Sequence, residues 1–264
     1  MRRSLFTTPI ASFVILTACA TAPDSQNEPS ILSFGGSFTA DLSEGDDRAR
    51  WRRGDYTVTS GVQRSRYTPE NLEFGDDGLV ISISPQPTED GYYNTGEYQT
   101  IGRYGDGRFE AAIRPAAGSG LVTSFFLYSG GSGIDGTGEI TVQFAGRNTD
   151  QVRFSYLRNG HPRYSHVQDL PFNAAEETHV YGFERENGVL NWLIDGVVVH
   201  AAPEDAPPIP TEDANLVVNT WAAEAGASEI AGALDFAETR HALIACISFT
   251  LPGDSHVSCG DSPE

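Results

Sequence analysis

Short runs of β-branched and aromatic residues, separated by turn dipeptides, constrain the fold of this chain more than any other feature. Asn-Gly or Asp-Gly dipeptides occur at 77–78, 106–107, 159–160, 187–188 and 195–196. Such dipeptides are typical of tight β-hairpin turns, because their residues tolerate positive φ angles. Strand-forming runs lie between and beyond them, at 79–84, 108–113, 121–128, 139–144, 152–156, 180–184, 189–194, 197–200, 216–221 and 242–249.

The spacing of these runs predicts an all-β protein, a sandwich of two antiparallel sheets. The clearest unit is 180–200, where two turn dipeptides predict three antiparallel strands in succession. Helical signal is confined to the Ala-rich stretch 222–234, whose glycines oppose a long helix. No internal repeat or second domain is evident. We expect one folded domain over 32–250 and a C-terminal tail over 251–264.

The N-terminus resembles a bacterial lipoprotein export signal. Two arginines precede a mostly apolar stretch, 5–17, that is too short to span a bilayer stably. The tetrapeptide that ends in Cys19 resembles a lipobox, where the signal is cut before the cysteine and the cysteine is lipidated. We therefore expect a signal peptide over 1–18, lipidation of Cys19 and a flexible polar tether over 19–31. An ordinary secretory signal with a chance cysteine is the alternative.

These features predict an exported, monomeric protein of the bacterial cell envelope, lipid-anchored at the outer membrane or the periplasmic face. Its only expected contact with the membrane is the lipid anchor. The chain has 17 basic residues, all arginine, against 36 acidic ones, a net charge of −19. Such a surface disfavours nucleic acid and anionic membrane as partners. It also makes a sulfated polyanion an awkward ligand unless a local arginine cluster overrides the field.

Two cysteines remain if Cys19 is lipidated. Cys246 and Cys259 form an even pair in an oxidising compartment, so a disulfide between them is expected, with two free thiols as the alternative. A bridge over this short loop would contribute roughly 3 kcal/mol in the chain-entropy model. The two cysteines have no nearby histidine pair, and the histidines lack metal-ligand spacing, so neither a metal nor a cofactor is predicted.

The run 138–144 carries the chemistry that the sequence can identify. On a β-strand, side chains alternate between faces, so Glu139, Thr141 and Gln143 share one face. The apolar residues that alternate with them share the other and should pack into a core. A retaining glycosidase needs two carboxyl groups about 5–5.5 Å apart. Here the polar row offers a single carboxylate.

The chain resembles family 16 glycoside hydrolases, and within them the bacterial lichenases, which are 1,3-1,4-β-glucanases. The resemblance extends over roughly 45–250 in the family's order and is carried by 96–115, 120–130, the Glu139 strand, 152–160, 192–196 and 219–221. It implies a concanavalin-like β-jelly roll whose concave sheet forms an open cleft for a β-glycan polysaccharide or oligosaccharide. Many members bind calcium on the convex face, but the expected aspartate falls near Ala245, so no ion is predicted here.

The family's active strand has the pattern Glu-x-Asp-x-Glu. By resemblance, Glu139 stands at the nucleophile position, Thr141 replaces the central aspartate and Gln143 replaces the acid/base glutamate. The resemblance also implies substrate contacts by Glu97, Gln99 (where an arginine is common), Asn219, Trp221 and Tyr56. For Trp221, packing in the core is an equally good alternative, since an aromatic on a strand usually packs.

These replacements have opposite chemical effects. Gln143 cannot deliver a proton to a leaving oxygen, and positioned acid/base catalysis is worth about 10²–10⁴-fold. Thr141 removes a like charge beside Glu139, which should ease ionisation of that carboxyl group.

Three interpretations follow from the sequence. The first is a lipoprotein that binds a β-glycan with weak or no hydrolysis. The second is an active retaining endo-β-glycosidase or transglycosylase that uses Glu139, with Glu97 as the candidate proton donor. The third is an envelope protein that uses the sandwich for protein contacts only.

Overall fold

The computed structural model describes residues 36–130, 136–255 and 258–259. The predicted signal peptide, Cys19 and the tether lie outside these residues. The strands are β1 Phe38–Asp41, β2 Trp51–Arg53, β3 Tyr56–Thr59, β4 Arg64–Tyr67, β5 Leu72–Gly75, β6 Gly78–Ile83, β7 Tyr93–Thr95, β8 Glu97–Thr100, β9 Gly107–Arg114, β10 Leu121–Tyr128, β11 Gly138–Ala145, β12 Gln151–Arg158, β13 His161–Asp169, β14 His179–Glu186, β15 Val189–Ile194, β16 Val197–Ala201, β17 Asn215–Ala222 and β18 Arg240–Thr250.

Two large antiparallel sheets form the molecule, as predicted for a β-jelly-roll sandwich. The eight-stranded sheet has the order β16-β15-β14-β9-β18-β6-β5, with β1 paired to β18. The seven-stranded sheet has the order β13-β12-β11-β10-β17-β8-β2. A small third sheet, β3-β4-β7, contains the parallel pair β4–β7 and contacts the seven-stranded sheet through β17.

Three of the predicted turn dipeptides form the expected hairpin turns. Asn159, Asn187 and Asp195 have φ angles of 53°, 51° and 48°, and each precedes a glycine that also has positive φ. Two successive positive φ angles define the type I′ turn that joins antiparallel strands tightly. The pairing of β14 with β15 and of β15 with β16 confirms the three-stranded unit predicted over 180–200.

Helical structure is sparse among the described residues. The Ala-rich stretch forms one short α-helix, α1, at Ser228–Ala231, preceded by a 3₁₀ turn at Ala225–Ala227. Two further 3₁₀ turns occupy Leu42–Glu44 and Pro69–Asn71. Within the part of the chain that the structure describes, no helix is both long and apolar enough to cross a membrane.

The core lies between the two large sheets and fixes which way β11 faces. Ile140, Val142 and Phe144 are fully buried in it. Glu139 and Gln143 therefore project from the opposite surface of the seven-stranded sheet, where they remain partly exposed. We call this surface, turned away from the core, the site face.

The tail is joined back to the last strand. Cys246 of β18 and Cys259 form a disulfide, with their Cα atoms 5.9 Å apart. The backbone N–H of Cys259 donates to Ser248 Oγ at 3.1 Å, which holds the tail against the eight-stranded sheet. The pairing predicted from the cysteine count is thus the one found.

Candidate active site

The register of five neighbouring strands builds one polar row across the site face. Gln143 on β11 lies opposite Arg153 on β12 and Ser124 on β10. Ser124 lies in turn opposite Asn219 on β17, which lies opposite Glu97 on β8. Directly opposed residues have Cβ atoms about 4.5–5.5 Å apart. The fold therefore brings Gln143, Asn219 and Glu97 to one surface, although Glu97 and Asn219 are more than a hundred residues apart in the sequence.

Glu139 is held by the residue two positions further along its own strand. Thr141 Oγ1 donates to Glu139 Oε1 at 2.8 Å. Burial raises the pKa of Glu139 to about 7, and the hydrogen bond from Thr141 acts in the opposite direction. The sequence argument considered only the loss of a like charge at position 141. The structure adds a hydrogen bond from Thr141 that also favours the carboxylate, but burial outweighs this bond.

Gln143 belongs to a hydrogen-bonded group centred on Ser124. Gln143 Nε2 lies 3.4 Å from Ser124 Oγ, and Trp221 Nε1 donates to the same oxygen at 3.2 Å. Ser124 is 3% exposed. Its hydroxyl orients the side chain of Gln143, the residue predicted to stand at the acid/base position. An amide there can donate a hydrogen bond but has no ionisable proton to transfer.

The predicted substrate contacts Glu97, Gln99, Asn219 and Tyr56 form one cluster. The Tyr56 hydroxyl donates to Glu97 Oε1, which also accepts from Gln99 Nε2 at 3.1 Å. Asn219 Nδ2 donates to Glu97 Oε2 at 3.0 Å. Burial raises the pKa of Glu97, while the hydrogen bonds from Tyr56 and Asn219 lower it. Both carboxylate oxygens are therefore already engaged by protein donors.

Tyr67 completes this cluster and was not identified from the sequence. Its hydroxyl accepts from Asn219 Nδ2 at 3.1 Å, and its ring centroid lies 5.2 Å from that of Tyr56. Burial, followed by the nearby carboxylates of Glu97 and Glu139, raises its pKa well above the usual value. Tyr67 is thus electrostatically close to both glutamates. The sequence of β4, Arg-Ser-Arg-Tyr, contains no pattern that would have identified it.

Trp221 lies on the site face but is covered. It packs with Val62, Val122 and Ala223 in a small cluster separate from the main core, and 8% of it is exposed. The ring is therefore neither a core residue between the sheets nor a broad open platform. Its role as a substrate contact stays a prediction.

Comparison with known proteins agrees with this geometry. Residues 55–238, more than half of the chain, match the glycosyl hydrolases family 16. A beta-glucanase from Paenibacillus polymyxa is 28% identical over 192 residues, covering 73% of this chain and 79% of the relative. A beta-glucanase from Bacillus subtilis is 30% identical over 189 residues, covering 71% of this chain and 75% of the relative.

Solved structures lead to the same family. The Bacillus licheniformis beta-glucanase superposes with a TM-score of 0.75 at 26% identity, over 83% of this chain and all of that one. A lichenase derived from a mouse hindgut metagenome superposes with a TM-score of 0.74 at 28% identity, over 81% and 99% of the two chains. The chain therefore belongs to the glycosyl hydrolases of family 16, a carbohydrate-active family, and is lichenase-like in sequence and fold.

Proposed function

We propose that this protein binds a β-glycan chain on its site face and hydrolyses it weakly or not at all. Family membership supports the ligand class, since the relatives named above are beta-glucanases. The observation that carries the second half of the proposal is Gln143, a neutral amide on the face and strand of Glu139. A retained carboxylate without a proton donor suits binding better than turnover of ordinary sugar leaving groups.

The register disfavours Glu97 as a substitute donor. Glu97 lies three strands away from β11, about 14 Å across the sheet, and it is level with Gln143 rather than with Glu139. Positions 139 and 143 are themselves about 13 Å apart along the strand, so side chains there can meet only by leaning towards the middle position. Glu97 would in addition have to cross the roughly 14 Å between the strands. Catalytic carboxyl pairs in glycosidases are about 5–9.5 Å apart. The three donors that hold Glu97 leave it little freedom to approach.

Partial exposure of the site supports glycan binding over a role in protein contacts alone. Glu139, Gln143, Gln99 and Tyr56 each retain some exposure to solvent. A filled groove would have buried them all. The site therefore has polar groups that a sugar hydroxyl could reach, which is the usual way that proteins orient carbohydrate ligands.

A panel of β-1,3-, β-1,4- and mixed-linkage glucan oligosaccharides tests this proposal. Calorimetry should detect binding of at least one, while reducing-end assays on the same samples detect little or no cleavage. Asn219→Ala should weaken binding, because it removes a donor from the Glu97 cluster. Absence of binding to every glycan would leave the envelope interaction protein as the better account, and rapid cleavage would favour the active hydrolase.

Attachment to the envelope is a separate part of the proposal and depends on Cys19. We infer that the mature protein starts at this residue and carries lipid there. Expression in a bacterial host with labelled palmitate should label the wild type and pellet it with membranes. A Cys19→Ser variant should lose both properties, whereas labelling that persists in the variant would contradict lipidation at this residue.

A further inference from the structure

A cavity opens on the site face beside Gln143, at the end of the polar row opposite Glu97. Its volume is about 240 Å³, and its polar lining includes Gln143, Arg147, Arg153 and Glu229. Pockets for drug-sized ligands run from about 300 to 1,000 Å³. This smaller space suits one sugar unit of a chain that continues along the face.

Arg153 ends the polar row on β12 and has no acidic partner among the described residues. It lies directly opposite Gln143 on one side and Val167 on the other. Its Nη1 donates to Ser165 Oγ at 2.7 Å, while its Nε is buried without a hydrogen-bond partner among the described residues. Burial lowers the pKa of the guanidinium group. Within the described chain, no carboxylate forms an ion pair with it.

A partly buried cation without a counter-charge is unfavourable, and a carboxylate supplied by a ligand would relieve that cost. The lack of an acidic partner for Arg153 is unusual in a chain of net charge −19, where acidic groups outnumber arginines about twofold. The neighbouring positions on β11 do not supply the missing charge, because Thr141 and Gln143 are both neutral. The immediate surroundings of Arg153 therefore favour an anion despite the acidity of the whole protein.

The other charged groups around the cavity do not cancel the positive charge of Arg153. Arg147 Nη2 donates to the backbone oxygen of Glu229 at 2.6 Å, which positions a second guanidinium at the rim. Glu229 supplies the one carboxylate in the cavity lining. Asp169 lies on β13 two residues beyond Val167, opposite Gln151, and accepts from Gln151 Nε2 at 2.7 Å. Two cations thus line the cavity against one exposed carboxylate.

From this geometry we infer that the cavity is a subsite for a sugar unit that carries a carboxylate, so that the glycan of the proposed function is an acidic one. Arg153 binds the carboxylate through its Nη2 group, because Nε is buried from a ligand and Nη1 already donates to Ser165. Val167, 41% exposed beside Arg153, offers an apolar surface to the ring of the same sugar. The inference depends on the proposed function, since it names the substrate class of the same face.

The test compares each β-glucan of the panel with its C6-oxidised form, in which primary hydroxyls have become carboxylates. Both members of a pair share linkage and length. Calorimetry should give at least about tenfold tighter binding of the oxidised form, as expected for a hydrogen-bonded charge pair. Added salt should reduce this preference, because ionic attraction is screened.

Substitutions in the cavity test whether the tighter binding of the oxidised glucan depends on its arginines. Arg153→Gln should abolish the preference, Arg147→Gln should reduce it, and Arg153→Lys should keep part of it. Arg114→Gln makes the same change of net charge at an exposed site on β9 of the other sheet and should leave the preference unchanged. Thermal unfolding of each variant establishes that it is folded.

The two failures are distinguishable. Equal affinity for parent and oxidised glucans, or a preference that survives both Arg153→Gln and Arg147→Gln, would overturn the acidic subsite but leave glycan binding intact. Absence of binding to both forms of every glucan would overturn the proposed function as well. The comparison of parent with oxidised glucan on the wild type decides the inference even if a variant fails to fold.

Discussion

Thr141 donates a hydrogen bond to the carboxylate of Glu139 over 2.8 Å, and this bond partly offsets the effect of burial on that carboxylate. The pKa of Glu139 is about 7 as a result of the two effects. Near neutral pH Glu139, the residue predicted to stand at the nucleophile position, is thus close to half ionised. Its reactivity and its contribution to stability should both change with pH.

Activated substrates should expose the remaining reactivity of Glu139. A dinitrophenyl β-glycoside has a leaving group that needs no protonation, so the absence of an acid at position 143 matters little for the first step, in which Glu139 displaces it and forms a glycosyl-enzyme. Attack of water on that intermediate lacks a general base, so release is measured over the first turnover. We expect slow release of dinitrophenolate whose rate rises with pH through about 7 and then levels off, because the carboxylate is the reactive form. Stopped assays over a pH series measure this profile.

Variants of the same strand control that assay. Glu139→Gln should abolish the release. Thr141→Val removes the hydrogen bond that favours the carboxylate and should shift the profile to higher pH. Release that persists in Glu139→Gln would assign the reaction to another group.

Stability should increase when Glu139 is replaced by a neutral isostere. Burial raises its folded-state pKa from 4.5 to about 7, so the folded protein holds a proton that the unfolded chain has lost between these values. Stability is therefore lost as pH rises through this window, by up to about 3 kcal/mol. Glu139→Gln keeps an acceptor for Thr141 and removes the penalty.

Urea unfolding at pH 8 should find Glu139→Gln more stable than wild type by about 1–3 kcal/mol, with a smaller difference at pH 4. Equal differences at the two pH values would show that burial of the carboxylate does not control stability here.

A stacked histidine pair should make stability fall in mild acid. His166 on β13 and His200 on β16 have ring centroids 3.7 Å apart and nearly parallel planes, and they join edge strands of the two large sheets. His200 Nε2 lies 2.6 Å from the hydroxyl of Tyr164. Burial, then proximity to His166, lowers the pKa of His200 below its ordinary value of 6.5.

The unfolded chain therefore binds the proton more readily, and the stability present above pH 6.5 is lost as pH falls below it. Unfolding free energies measured from pH 7.5 to 5 should fall less steeply for His200→Gln than for wild type. Glu139 titrates in this range with the opposite sign, so the informative quantity is the difference between the two proteins. Identical slopes would contradict this role of His200.

Strand composition made much of the fold predictable. Runs such as 121–128 and 216–221 are apolar or β-branched enough to be identified alone, and they correspond to β10 and β17. The short polar strand β4, Arg64–Tyr67, was missed because two of its four residues are arginines. The edge strand β13, His161–Asp169, was missed because most of its residues are polar and it faces solvent.

The site was only partly predictable because register connects residues that are remote in sequence. Alternation along one strand correctly placed Glu139 and Gln143 on the face away from the core. No local pattern could show that Ser124 lies between Gln143 and Asn219, or that Tyr67 contacts Asn219. Arg153 was not identified for the same reason, since its significance depends on a cavity that several elements build together.

Restoring an acid at position 143 tests the central claim most directly. Reducing-end release from an unmodified β-glucan should be about 10²–10⁴-fold faster for Gln143→Glu than for wild type, since the added carboxyl group would supply the missing proton donor on the strand and face of Glu139. Gln143→Asn, which stays neutral, is the matched control and should remain as slow as wild type. A wild-type rate equal to that of Gln143→Glu would contradict the proposal that the amide at this position limits hydrolysis.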